Sequence, residues 1–407
     1  MKQIEIISFN MSSFQEWERG TVNRNRHLLY QFLDQPEVKR IVAIDFLPFS
    51  FKRVLRNFFQ NIVFGPKGEK VYCDLISRGI KVSDKFYVFS TVNSFWAPGK
   101  IMKKVDKFLK KIDLKYPLNS ETKKVGWSCF PMFVDYLKED CPIKLDLTIF
   151  DAVDNWIEHP SFKKYQTILK NNYQIIAEKS DLIFTVSDNL IDFFKSLGRK
   201  ENLYWISNGV EVSHFKKESS DLPKDLEKVS KPIVGYLGII QQRIDVDLLE
   251  YLANHNPEKS FVLIGPLWPV YFRRLRRLAV EIKKLQKYKN IYFLGHKKYQ
   301  ETPFYLNHFS VAISPHKLDK FIKSTNSLKA LEYLASGLPV VTTPTSGAEN
   351  LSHLVKIAQD YEDFNKKLNQ ALEEDNPEAR QQRKEKIKEY DWGIKMEKII
   401  KLIKEHF

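Results

Sequence analysis

Residues 324–341 read STNSLKALEYLASGLPVV. A polar Ser/Thr/Asn cluster caps a short helix, Gly337 ends it, and a buried strand follows. Backbone N–H groups at such a helix start are free to meet an anion, and Ser327 and Lys329 add donors. Glu332 sits one turn further along a helix that otherwise reads as buried. A carboxylate there needs a partner, because burying it alone is costly. A ribose diol would satisfy it, as an acidic residue does in dinucleotide folds. An ion pair with Lys329 at i,i+3 would satisfy it as well.

Outward from this segment the pattern repeats. Short β-branched and aromatic runs alternate with longer helical patterns, with strands expected at 4–8, 41–46, 86–91, 146–150, 182–186 and 204–206. After residue 230 they resume at 233–237, 261–264, 291–294, 311–314 and 339–342. Strands alternating with helices predict doubly wound parallel sheets, and continuous apolar runs such as FVLIG suit strands covered on both faces. The polar, Pro-interrupted KKESSDLPK at 216–224 marks a break. The expected fold is α/β, with two Rossmann-like domains whose parallel sheets face each other across a cleft. Residues 1–212 form the first domain, 213–230 a linker and 231–390 the second. Past Asp391-Trp392, residues Ile394, Met396, Ile399, Ile400, Leu402 and Ile403 fall at helical spacing. That final helix, 391–407, is expected to cross back to the first domain.

Composition bounds the function. The 407 residues suit two large domains or three small ones, and 43% hydrophobic with 28% charged residues is globular. Lys+Arg 65 against Asp+Glu 50 leaves a net charge of +15. Such an excess attracts anionic partners: a nucleotide, nucleic acid or a phospholipid surface. No signatures of specific nucleic-acid recognition organise that charge. No apolar run is long enough to span a membrane, and the N-terminus reads as a strand rather than a signal peptide. Cys73, Cys129 and Cys141 fit neither a disulfide framework nor a zinc site. A cytoplasmic location follows, with the inner membrane face as a possible contact.

SLKALEYLASGLPVV resembles the donor-nucleotide signature of retaining GT-B glycosyltransferases of glycosyltransferase family 4. Ser207-Asn208-Gly209-Val210-Glu211 resembles the family's domain-junction segment, and Gly235-Tyr236-Leu237-Gly238 with Arg243 its donor-domain opening loop. Phe261–Pro266 and Tyr292–Gly295 resemble the next two strands. Phe150-Asp151-Ala152-Val153-Asp154 and Phe184-Thr185-Val186-Ser187 are similar to a subgroup active in cell-surface polysaccharide and teichuronic acid biosynthesis. The resemblance spans roughly 145–400. It implies that Glu332 holds the ribose hydroxyls of a nucleotide-sugar donor (UDP-, GDP- or dTDP-linked). Arg243 and Lys329 would neutralise the diphosphate, Asn326 and Ser327 would donate hydrogen bonds, and Gly238 would let the backbone approach the phosphates. The family motif has an earlier glutamate, and the position eight residues before Glu332 is Ser324. That residue usually contacts the transferred sugar, so the sugar's identity stays open.

The remaining candidates carry two readings each. Arg243 alone is a diphosphate ligand or a solvated surface arginine. Asp245-Val246-Asp247 is a D-x-D metal motif or the acidic first turn of a helix, and the expectation is no metal and no cofactor beyond the co-substrate. Asp151 and Asp154, just after a strand, suit a catalytic or acceptor-binding role, or a helix cap. Trp17 and Arg19, in the loop after the first strand, are placed to stack on or grip a sugar acceptor; His27 is a further acceptor candidate or a structural residue. Two basic amphipathic segments, 100–111 and 273–289, could lie on anionic lipid or form ordinary surface helices. The leading expectation is transfer of a hexose to a glycan or lipid-linked acceptor, retaining and metal-independent. A sugar-nucleotide epimerase and a basic nucleic-acid-binding protein are the alternatives.

Overall fold

In the computed structural model the described residues are 2–48, 58–93, 99–216, 221–267, 280–323, 325–326 and 328–407. They form two compact units, Met1–Ile206 with Lys395–Phe407, and Ser207–Ile394.

The first unit holds a nine-stranded sheet in the order β3-β4-β5-β2-β1-β6-β7-β8-β9. In chain order these are β1 Ile4–Asn10, β2 Val38–Pro48, β3 Glu69–Cys73, β4 Ser77–Lys81, β5 Phe86–Asn93, β6 Lys123–Ser128, β7 Leu147–Ala152, β8 Leu182–Thr185 and β9 Leu203–Trp205. Every residue of β1 is buried, as expected of a central strand covered on both faces. The buried Glu5 is matched by Arg40, whose Nε lies 2.6 Å from Oε1. The sheet is not wholly parallel, which corrects the expectation. β4 pairs antiparallel with both β3 and β5, forming a hairpin edge. A two-stranded turn suffices there because no crossover helix is needed.

The second unit holds six parallel strands in the order β12-β11-β10-β13-β14-β15. They are β10 Ile233–Leu237, β11 Ser260–Ile264, β12 Ile291–Gly295, β13 Val311–Ser314, β14 Val340–Thr342 and β15 Lys356–Ile357. Alternate residues of β10 feed separate cores: Ile233 and Leu237 on one face, Val234 and Tyr236 on the other. Gly235 makes room for Phe309, whose ring would lie 1.9 Å from a Cβ at that position.

The expected linker is differently built. Residues 217–220 lie outside the described set, but Val212–Phe215 is helical and Phe215 and Leu226 sit in the second core. The second unit therefore begins at Ser207. Its first residues pair with the chain's end: Val210 N–H donates to Tyr390 O (2.9 Å), and Val212 N–H to Asp391 Oδ2 (3.1 Å). The final helix, Trp392–Lys404, starts in this unit and ends in the first. There Ile399 and Ile403 are buried, Lys398 Nζ donates to Trp205 O (3.2 Å), and Lys404 pairs with Glu37.

The basic helix expected at 100–111 is observed as Gly99–Lys115. Its apolar stripe, Ile101, Val105, Phe108, Leu109 and Ile112, lies in the first core. That stripe is therefore unavailable to lipid, which corrects the amphipathic-docking reading. Of the second basic segment, 273–279 lies outside the described residues; Ile282 and Leu285 pack into the core.

Candidate functional site

The carboxyl ends of β10, β11, β13 and β14 gather the donor candidates, where open α/β sheets bind ligands. Two glycines set the floor. Gly238 follows β10 at φ +153° and Gly265 follows β11 at φ +149°. A Cβ on Gly265 would lie 1.9 Å from Gly238 O, so the two turns stack backbone on backbone. Gly238 N–H donates to Ile264 O (2.8 Å), fixing the stack.

The Leu328–Ala335 helix packs over this floor. Tyr333, fully buried, fastens it: its hydroxyl donates to Leu237 O (3.1 Å) and accepts from Leu237 N–H (2.8 Å). Lys329 then lies directly on Gly238, where a Cβ would stand 2.0 Å from Lys329 Cε. Its ammonium is 5.9 Å from the Tyr236 ring centre. Just before the helix, Asn326 O accepts from Asn208 Nδ2 (2.9 Å), so the Ser-Asn-Gly-Val segment braces the helix start. Ser327 and Ser324 lie outside the described residues.

Charge converges here. Packing away from water pushes Lys329 down, with Glu332 opposing and Arg243 adding to the fall. The same packing pushes Glu332 up, with Lys329 pulling it back. Among the described residues neither makes an ion pair, so the i,i+3 bridge that the sequence allowed is not formed. A half-buried cation and carboxylate without an ion-pair contact among the described residues is a costly arrangement, relieved when a ligand supplies partners. Arg243 stacks its guanidinium 4.6 Å over Phe321 and is half-buried, which removes the solvated-surface reading.

Sequence reasoning missed His316, which follows β13 by two residues. Burial, then Lys329 and Arg243, holds its imidazole down to about 3, so it is neutral at physiological pH. The expected strand at 311–314 contained the signal, since ligands gather at strand ends.

Asp245 is a helix cap. Its carboxylate accepts from Leu248 N–H (3.2 Å) and Tyr361 Oη (3.0 Å), and Asp247 stands in the first turn. Among the described residues no group of three His, Cys, Asp or Glu is placed to hold a metal.

The first unit revises several candidates. Asp151 is fully buried, and Arg24 grips both its oxygens: Nε to Oδ2 at 2.8 Å and Nη2 to Oδ1 at 2.9 Å. With its oxygens so occupied it cannot serve as a base in this arrangement, which corrects the catalytic assignment. Asp154 is half-buried, and its carbonyl accepts from Tyr173 Oη (2.9 Å). Trp17 is a core residue, 3% exposed, donating from Nε1 to Ser12 Oγ (2.7 Å) and packed edge-on to Phe14. It offers no face for stacking a sugar. His27 is buried in the Arg24–Leu33 helix, while Arg19 is exposed at the end of Phe14–Glu18. Asp45, at the carboxyl end of β2, was missed. It accepts from Asn10 Nδ2, Phe14 N–H and Ser90 Oγ at 3.0–3.1 Å, and so holds the loop after β1. Burial pushes it up to about 7 against those hydrogen bonds.

Residues 231–374 match the family model "Glycosyl transferases group 1". The chain is a glycosyltransferase, and this stretch of its second unit is similar to the group 1 family. The glycosyltransferase is 23% identical over 360 residues to TuaH of Bacillus subtilis (strain 168), a glycosyltransferase assigned to teichuronic acid biosynthesis; the match covers 84% of this chain and 82% of TuaH. Solved structures share its fold along the whole chain. Sucrose-phosphate synthase from Thermosynechococcus elongatus superposes with TM-score 0.72 at 14% identity, covering 99% of each chain. Anabaena HepE, crystallised with UDP and glucose, gives 0.67 at 14% identity and 98% coverage of each. The glycosyltransferase therefore has the GT-B architecture. No helix among its described residues is long and apolar enough to cross a membrane.

Proposed function

We propose that this glycosyltransferase moves a hexosyl group from a nucleoside diphosphate sugar to a glycan or lipid-linked acceptor, in the assembly of a cell-surface polysaccharide. The observation that carries the reading is the pair Lys329 and Glu332, one turn apart, half-buried and without ion-pair partners among the described residues. Glu332 accepts hydrogen bonds from the ribose hydroxyls. Lys329 and Arg243 offset the charge that grows on the departing diphosphate, which fixed cations do best in a water-poor site. Gly238 removes the side chain that would hold the phosphates off, and Asn326 precedes the helix at their side. Neutral His316 is a hydrogen-bonding group where Lys329 and Arg243 already supply positive charge.

In this reading the departing phosphate takes the acceptor's proton and the anomeric configuration is retained, so no protein base is called for. Asp245 is occupied as a cap, and the diphosphate is met by side-chain cations rather than a metal. Donor complexes of UDP with HepE support a nucleotide donor, and the likeness to TuaH supports a polysaccharide acceptor.

A thermal-shift screen against UDP-, GDP- and dTDP-sugars tests the donor, since a ligand binding only the folded state raises Tm. Glu332→Ala should then weaken the best donor by about ten- to hundredfold, the value of hydrogen bonds to a charged group, at unchanged Tm. Undiminished affinity by calorimetry would overturn the assignment of Glu332.

A further inference from the structure

At the carboxyl edge of the first sheet, five large apolar side chains face solvent together: Phe59, Val63, Phe64, Leu75 and Ile76. Phe64 is 71% and Leu75 84% exposed. Leu75 and Ile76 form the turn between β3 and β4, and Ile76 O accepts from Val92 N–H (3.0 Å) near the end of β5. Val92 packs on Ile62, within the Phe58–Val63 helix that carries Phe59 and Val63. Arg78 ties that helix's end to the same hairpin, donating to Ile62 O (3.4 Å) and Pro66 O (3.1 Å). Phe59 and Phe64 stack with ring centres 6.2 Å apart. Single exposed apolar residues are ordinary, but a contiguous group on a braced hairpin and helix marks an interaction surface.

Charge beside the patch says what covers it. Lys104 Nζ bonds Asp74 Oδ2 (3.1 Å) and Ser77 Oγ (3.1 Å), fastening the Gly99–Lys115 helix to the turn that presents Leu75. On that helix Lys103 and Lys107 are exposed at i,i+4, and Lys67 follows Phe64 by three residues. None of these three has an ion pair among the described residues. Exposed apolar side chains with exposed lysines on the adjoining segment and on the helix fastened to their turn suit the boundary of an anionic bilayer, where the rings and leucine enter the acyl region and the ammoniums meet headgroup phosphates.

We infer that this patch docks the protein on an anionic lipid surface. The contact is made by the Phe59–Phe64 and Leu75-Ile76 tips, and the apolar stripe of the Gly99–Lys115 helix stays in the core. It lies at the sheet edge where ligands of open α/β sheets bind, so a lipid-linked acceptor would meet the enzyme there. The inference deepens the acceptor half of the proposed function, and donor binding measured on the same variants separates the two.

The experiment is sedimentation of the full chain with phosphatidylcholine vesicles with and without phosphatidylglycerol, across salt. Binding is expected only with phosphatidylglycerol and should weaken as salt rises. Phe64→Ser with Leu75→Ser should lower partitioning about a hundredfold, roughly tenfold per side chain. Lys103→Glu with Lys107→Glu should remove the salt-sensitive part. Tm and the donor-induced thermal shift should be unchanged in both pairs. Failure of the wild type to sediment with anionic vesicles would overturn the inference whatever the donor result. So would equal binding by the Phe64/Leu75 pair, or conversion of a dimer to a monomer by that pair without any effect on vesicles.

Discussion

Asp151→Ala separates a structural from a catalytic carboxylate, and its size follows from the geometry. Arg24 and Asp151 side chains are 3% and 0% exposed and joined through three nitrogen–oxygen contacts of 2.8–3.0 Å. Removing the carboxylate strips a buried guanidinium of its Asp151 counter-charge, which costs about 3–5 kcal/mol. For a unit of this size that lowers its Tm by about 6–20 °C, at roughly 2–4 °C per kcal/mol. Replacing both residues with apolar ones, Arg24→Met with Asp151→Leu, removes the stranded charge and should recover most of the loss. Urea unfolding followed by tryptophan fluorescence reads both, Trp127 and Trp17 being buried in this unit. The proposed donor site lies in the second unit, so donor affinity should be unaltered in any variant still folded. A stability within about 0.5 kcal/mol of wild type together with collapsed turnover would refute the reasoning and return Asp151 to the reaction.

Three further outcomes are expected. Tyr333→Phe strips both hydroxyl bonds from Leu237, should cost about 1–3 kcal/mol in stability, and should raise the donor KM because Gly238 and Lys329 lose their common anchor; denaturation and initial rates check it. Asp45 and His316 should tilt stability with pH in opposite directions. Asp45 binds its proton up to about pH 7 when folded but only to about 4 unfolded, so its contribution is present below about pH 4 and lost as pH rises to 7. His316 resists protonation down to about pH 3 when folded, so its contribution is present above about pH 6.5 and lost as pH falls. Asp45→Asn and His316→Asn should each abolish one slope in Tm against pH. Finally, Asp245→Ala should cost about 1 kcal/mol as a lost helix cap while turnover, with or without EDTA, matches wild type; loss rescued by Mn²⁺ would show a metal role.

Strands buried on both faces were legible because their composition is local. β10 and β13 fall at 233–237 and 311–314 as expected, both being short runs rich in apolar residues. β6 reads KKVGWS and escaped notice. Its lysines look exposed until Asp146 and Asp113, which lie outside the strand on either side of it in sequence, are seen beside them. The β3–β4 hairpin was hidden for a similar reason, its alternation broken by edge charges. The placement of Lys329, Glu332 and Asn326 by Gly238 was legible because a single helix and the turn it covers carry them. The errors at Asp151 and Trp17 are errors of burial. Asp151 meets its arginine across 127 residues of sequence, and Trp17 turns inward on a five-residue helix too short to show an apolar period.

The route of the last helix bears on biosynthesis. Ile399 and Ile403 are interior residues of a unit whose other strands all lie before residue 207. As the ribosome extends the chain, the earlier unit must wait, with an apolar seat uncovered, while the later one is made in full. Only once residues 395–407 have themselves been made can they fill that seat. Loss of residues 395–407 would therefore injure the first-made unit more than the second.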